Sequence, residues 1–228
     1  MELTIKTMEQ RSQEWHDEKL GKLSGSIAKN VFNIDGTIKK ATKARDAVAT
    51  AIYKLLAEQA TGFSSSKIFV NDAMQWGIDN EPHAESIFLY RLPKGKVKVE
   101  CGFAENGSYE NLGLSPDGVI RNEATGKIDE GAEIKCPESH THLKYIAEDK
   151  IPDEHRVQVM LYFVIFPDLE KMTFISYDPR NKYCEYWEKV VTREELKNEL
   201  TELDKSIKLF NERYYDISRK IYNDGKAD

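Results

Sequence analysis

The chain lacks a basic excess, has few cysteines and contains no long hydrophobic run. Lysine and arginine number 33 against 39 aspartates and glutamates, a formal net charge of −6, so any nucleic-acid partner would have to be met on a locally positive surface. Cys101, Cys136 and Cys184 are odd in number and show no CxxC spacing. That excludes a disulfide framework, a zinc knuckle and a cysteine-held iron–sulfur cluster, and it suits a reducing compartment. The longest apolar run, Val159 to Phe166, is closed by Pro167. It falls well short of the roughly 20 residues that span a bilayer and reads as a buried core segment, so no membrane partner is expected. The opening MELTIKTMEQ is acidic and polar where an export signal would be apolar, which points to a cytoplasmic location. With 228 residues, 40% of them hydrophobic, and no repeat, low-complexity tract or linker, the expectation is one domain over residues 1–228.

The first half of the chain is patterned as helix. Ser12 precedes Gln13-Glu14-Trp15 as an N-cap for a short helix ending near Gly21, and Ser24 caps a second running to about Phe32. Asn33 to Gly36 is a turn. Residues 41–60 carry Ala44, Val48, Ala51, Ile52, Leu55 and Leu56 at helical spacing and close at Thr61-Gly62. GFSSSK, 62–67, reads as a loop, and Asn71 caps a helix toward Leu92 that Pro82 kinks or restarts. From Lys96 the period becomes two: Val97, Val99 and Cys101, then Leu112 to Ile120, then Ala132 to Cys136 form an antiparallel meander. Helices are expected over 139–148 and 153–166, strands over 172–177 and 186–191, and a long polar helix from a Thr192 cap to about Asn223. Helices flanking a central mixed sheet make the fold α/β or α+β.

Asp117 follows Pro116, and sixteen residues later comes Glu133-Ile134-Lys135. Side chains of alternate strand residues point the same way and paired strands lie about 4.8 Å apart, so carboxylates on adjacent strands can converge on one face. With Asp117 at a bent strand end, between a proline that cannot donate to the ladder and a permissive Gly118, its oxygens can share a cation with Glu133. Oxygen donors select Mg²⁺ or Mn²⁺ over zinc. The plainer alternative is a Pro-Asp-Gly turn beside a surface Glu133–Lys135 ion pair worth at most about 1 kcal/mol. The apolar flanks Leu112, Leu114, Val119, Ile120, Ala132 and Ile134 favour central strands, where a buried charge needs a partner.

SPDG at 115–118 followed by EIKCP at 133–137 resembles the metal-binding core of the PD-(D/E)XK nuclease superfamily, with its restriction-endonuclease-like core. Within it the resemblance is to the bacteriophage lambda exonuclease and YqaJ-like viral recombinase family. EWHDEKLGKLSGS at 14–26, WGIDNEPHAESIF at 76–88, HRVQVMLYF at 155–163 and YDPR at 177–180 match in the family's order, about three quarters of the chain. The resemblance implies Asp117 and Glu133 as ligands of Mg²⁺ or Mn²⁺, two ions in all. The Ile134 carbonyl is a further donor, and Glu81 arrives from an upstream helix to bind directly or through water. It gives Lys135 the attacking water and the scissile phosphate, and Gln158 the orientation of the water or the cleaved end. Lys19, Ser26 and Ser115 match the pocket for a terminal 5′-phosphate, with Lys19 standing where the family has an arginine and so without its bidentate fork. Read on their own residues, Ser24 and Ser26 are helix caps, Glu85 lies on a solvated helix face, and Trp15 and Trp76 could stack on bases but read more simply as core residues. His140 and His142 could chelate a metal but lie at what reads as a surface helix start, and Lys39, Lys40, Lys43 and Arg45 form a basic patch that is ordinarily a solvated face and is also a place where an acidic protein could touch DNA.

The activity so implied is a double-strand DNA exonuclease working 5′→3′ and leaving 3′ overhangs for a single-strand annealing protein. The same resemblance implies a homotrimeric ring around the DNA, in a bacterial host cell and encoded by a phage or prophage. Two rivals stand beside it: a RecB-type or restriction-like nuclease of different polarity, and a non-catalytic DNA-end-binding module.

Overall fold

A computed structural model describes residues 2–64 and 71–223; residues 65–67 of the expected GFSSSK loop lie outside them. The order of elements places a five-stranded sheet in the second half of the chain. Its strands are β3 (Lys96–Lys98), β6 (Gly118–Asn122), β7 (Ile128–Lys135), β8 (Lys171–Tyr177) and β9 (Tyr186–Thr192), ordered β3-β6-β7-β8-β9. β3, β6 and β7 pair antiparallel as the alternation predicts, whereas β7 and β8 are parallel, Glu133 facing Phe174 and Lys135 facing Ser176. The parallel step needs a crossover, supplied by α5 (Ser139–Glu148) and α6 (Asp153–Ile165). The mixed α/β expectation is met.

Because strand side chains alternate, the central strands bury two different faces. Ala132, Ile134, Ile175 and Tyr177 pack with Ala84 and Phe88 of α4 (Asp72–Arg91). On the other face Met172 and Phe174 join the larger core with α6, α3 (Ala47–Thr61) and α7 (Lys197–Asn223). The run Val159 to Phe166 is buried throughout, as its composition predicts.

Several boundaries differ from the sequence pattern. The helix expected from residue 41 begins at Ala47, because the Asp46 carboxylate accepts from the Ala49 amide at 2.9 Å and Thr42 and Arg45 close a turn ahead of it; Ala44 is exposed. α4 passes unbroken through Pro82. The helix from Ser24 is one turn long, α2 (Gly25–Ala28), and Ser24 makes no capping bond. Thr192 ends β9, and its exchange of hydrogen bonds with Glu195 precedes the regular part of α7. The stretch 112–120 is divided at Ser115–Asp117, where β5 (Leu112–Gly113) pairs parallel with β2 (Leu23–Ser24) before β6 starts. Unforeseen strands β1 (Leu3–Lys6) and β4 (Phe103–Asn106) pair antiparallel. α1 (Gln13–Lys19) has its Ser12 cap, with Oγ accepting from the Trp15 amide at 3.2 Å. Lys6, Glu18, Lys22 and Glu105 close a ring of four ion pairs across β1, α1, β4 and the approach to β2; Glu105 is 3.0 Å from Lys6 and 2.8 Å from Lys22.

Gly113 lies against the buried Phe103 ring, where a Cβ would stand 2.2 Å from Cζ. Gly113→Ala is therefore expected to destabilise the protein by about 1–3 kcal/mol in chemical denaturation. A change under about 0.5 kcal/mol, the range of surface substitutions, would show that the ring is free to move.

Candidate active site

The carboxyl end of β7 gathers the residues singled out in the sequence. Glu133 is fully buried. Its Oε1 meets the Lys135 ammonium, two residues on and on the same strand face. Its Oε2 accepts from the Tyr162 hydroxyl at 2.8 Å. Asp117, just ahead of β6, lies across from this strand end, and its Oδ2 accepts from the Ile134 amide at 2.8 Å and stands 3.9 Å from Lys135 Nζ. The Pro116–Gly118 bend thus replaces a ladder bond with a carboxylate bond.

Tyr162 on α6 is the residue that the sequence reading missed. Its hydroxyl accepts from the Asp117 amide at 3.0 Å, and its single proton is shared between Glu133 Oε2 and the Ala132 carbonyl at 2.9 Å. It reaches this position because residue 131 is glycine: a Cβ there would lie 3.1 Å from the Tyr162 ring and 2.4 Å from Met172 Sδ. Inside an apolar run the tyrosine reads as core, and the only available signal was its i+4 spacing from Gln158. Gln158 and His155 lie on the same side of α6. The Gln158 side chain packs toward Gly25 of α2 and makes no hydrogen bond among the described residues, while His155 lines a cavity of about 290 Å³ with Lys135 and Glu81.

Glu81 comes from α4, and its Oε2 accepts from Arg11 Nη2 at 2.8 Å. Glu81 and Asp117 both line a cavity of about 300 Å³ with Ile134. Glu85, expected on a solvated face, is half-buried and pairs with Lys98 at 2.6 Å. Lys19 and Ser26 share another cavity, of about 510 Å³, with Trp15, Ser24 and Lys22. Ser115 does not line it and accepts from the Trp15 indole N–H at 2.7 Å. Lys19 lies over the Trp15 ring, 3.7 Å from its centroid, and burial lowers its ammonium to about 8 against the pull of Glu58. Trp76 is half-buried under the Arg180 guanidinium, 4.0 Å from its ring centre. His142 is not on the surface: it is fully buried between Ser176 Oγ and the Cys184 carbonyl. Lys40, Lys43 and Arg45 are exposed, while Lys39 donates to the Lys29 carbonyl.

Burial, and then the neighbouring Asp117 charge, push the Glu133 carboxyl up to about 7 against the attraction of Lys135 and the Tyr162 bond. The same two causes raise Glu81, opposed by Arg11. Lys135 is held above its ordinary value because its carboxylate neighbours outweigh its burial. Among the described residues no three His, Cys, Asp or Glu side chains converge tightly enough to make a closed metal cage. The donor set gathered here is two carboxylates, Asp117 and the fully buried Glu133, whose oxygens already meet Lys135 and Tyr162. It fits an ion such as Mg²⁺, which keeps several waters and takes one or two protein carboxylates, and it does not fit a structural zinc site.

A mixed sheet with helices on both faces and acidic groups at the carboxyl end of a parallel strand pair defines an α/β domain with its site at a sheet end. The chain belongs to the family of YqaJ-like viral recombinase domains, whose model matches residues 14–166. Its fold is similar to an alkaline exonuclease from Laribacter hongkongensis, solved also in complex with dAMP, at 24% identity and a TM-score of 0.69, covering 93% of this chain and 99% of that one. A phage-related exonuclease from Haemophilus somnus is similar at 17% identity and a TM-score of 0.53, covering 88% and 96%. No curated protein matches the sequence significantly. No helix among the described residues is long and apolar enough to cross a membrane.

A carboxyl raised to about 7 in the folded state from 4.5 holds its proton more tightly there than in the unfolded chain. The resulting stability is full below about pH 4.5 and is lost as pH rises through 7. In EDTA, wild type should therefore lose up to about 3 kcal/mol relative to Glu133→Gln between pH 5 and 8, measured by urea denaturation. Parallel pH profiles for the two proteins would mean that Glu133 is ionised throughout.

Proposed function

We propose that this protein is a Mg²⁺- or Mn²⁺-dependent exonuclease of double-stranded DNA ends, of the PD-(D/E)XK type. It shortens the 5′-ended strand and leaves a 3′ overhang for a single-strand annealing protein, as a homotrimer in the cytoplasm of a bacterial host. The observation that carries the nuclease reading is the Glu133 carboxylate buried beside Asp117 with the Lys135 ammonium on it. The viral recombinase family, the exonuclease folds it is similar to and the dAMP held by one of them support DNA as substrate.

In this reading Asp117, Glu133 and the Ile134 carbonyl would hold the metal, Glu81 would bind it directly or through water, and there would be two ions in all. Bound there, a divalent ion makes water a better nucleophile at neutral pH and offsets charge on the phosphoryl oxygens. Lys135 contributes a fixed positive charge at the scissile phosphate. Tyr162 holds Glu133 and the Asp117 backbone in one geometry through a single hydroxyl. Gln158, on the same side of α6, orients the attacking water or the cleaved end. Lys19 and Ser26 meet the terminal phosphate, and Ser115 acts there through Trp15.

With Mg²⁺, strand-labelled linear duplex is expected to shorten from its 5′ ends while closed circular plasmid survives. Asp117→Ala and Lys135→Ala should each lower the rate at least about a hundredfold, the scale of a lost transition-state charge contact. Shortening from 3′ ends would reverse the polarity, and nicking of the circle would favour a restriction-like nuclease. Resistance of all DNA with tight binding of ends would leave a DNA-end-binding module.

A further inference from the structure

Arg11 belongs to no motif in the sequence, yet it stands where the three cavities of the site meet. It lines the cavity with Asp117 and Glu81, the cavity with Lys135 and His155, and the cavity with Lys19 and Ser26. Its backbone is left-handed, φ +72°, a conformation that side-chain-bearing residues enter at a cost and that here directs the residue before the Ser12 cap toward α4. The contact made there is a single hydrogen-bonded ion pair, Nη2 to Glu81 Oε2 at 2.8 Å, between side chains 45% and 32% exposed. Water reaches both partners, so the pair is weak enough to be exchanged.

The surroundings give that exchange a direction. Glu81 lies close enough to Asp117 for the two charges to repel, and the Lys135 ammonium is already engaged by Glu133. A divalent ion entering between the carboxylates competes with the guanidinium for Glu81. Arg11, once released, still borders the cavity with Lys135 and His155 and the cavity with Lys19 and Ser26, residues that the proposed function sets against DNA phosphates. A guanidinium suits a phosphate there through its planar fork of donors.

We propose that Arg11 is a displaceable counter-ion: it neutralises Glu81 while the site holds no divalent ion, and it passes to a DNA backbone phosphate when the ion takes the carboxylate. This rests on the reading of Glu81 as facing the metal. Metal and DNA then assist each other's binding through one side chain, and by thermodynamic reciprocity each raises the affinity of the other equally.

The test separates the two ligands. Calorimetric titration of Mn²⁺ into DNA-free protein should give about threefold tighter binding to Arg11→Ala than to wild type, the size expected for an ion pair of this exposure. The difference should vanish in a Glu81→Gln background. Binding of duplex ends, measured by fluorescence anisotropy in a Lys135→Ala background, should weaken about fivefold or more on Arg11→Ala with Ca²⁺ present and stay unchanged in EDTA, as for loss of one charged phosphate contact. Arg11→Gly relieves the left-handed backbone and should behave as Arg11→Ala with an undiminished melting temperature, which guards against misfolding. Unchanged or weaker Mn²⁺ binding by the variants, or equal loss of DNA affinity with and without Ca²⁺, overturns the proposal while leaving the metal site intact. Wild type that binds no Mn²⁺ overturns the proposal and the metal reading together.

Discussion

Everything at this site depends on a glutamate carboxylate with no access to water. Glu133 lies under α6 at the end of a central strand, touching one hydroxyl and one ammonium and facing a second carboxylate. Burying a charge so costs several kcal/mol unless partners replace the lost hydration, and two partners against a like-charged neighbour replace it incompletely. Much of the local sequence follows from keeping that arrangement. Gly131 lets the Tyr162 ring descend onto the strand, Pro116 stops the ladder so that Asp117 can turn inward, and the Ile134 amide fixes its carboxylate. The packing that holds α6 down is correspondingly dense, with every residue from Val159 to Phe166 buried. Arg193 completes it by donating to the Phe163 carbonyl in the last turn of α6 and to the Phe166 and Leu169 carbonyls just beyond it.

The acidic face of the site and the acidic balance of the chain pose one electrostatic problem, which the fold answers by position. The cations nearest the carboxylates, Lys135 and Arg11, come from a strand end and from a turn, and Lys19 lines a neighbouring cavity from the last turn of a short helix. None belongs to a run of basic residues, so the sequence shows no basic cluster that would mark them. The field that matters is set by three side chains brought together across more than a hundred residues of sequence.

What was legible in the sequence was what strand alternation controls. Asp117, Glu133 and Lys135 converge because the β6–β7 pairing follows the period-two pattern, and the apolar flanks announced their burial. Glu81, Lys19 and Ser26 were singled out only through the resemblance to a family, since helix residues far upstream carry no local sign of the cavities they line. Tyr162 was hidden because a hydroxyl in an apolar run does not alter the run's pattern. Arg11 was hidden because a left-handed turn directs it, and φ is not written in residue type for an arginine. His142 was misplaced because a pair of histidines at a helix start looks solvated until β8 brings Ser176 beneath it. Pro82 misled in the opposite sense: its missing N–H removes one bond of a helix that packing on the sheet keeps continuous.

The ring of Lys6, Glu18, Lys22 and Glu105 ties together the N-terminal elements that bear Arg11, Lys19 and Ser26, and its members are 21–30% exposed. Mobile ions therefore reach it, and its cohesion declines as ionic strength rises. Salt would act on this molecule from two directions, loosening a polyanion from its surface and slackening the clasp that aligns the surface itself. The steepness of any salt response would then exceed what counting phosphate contacts allows.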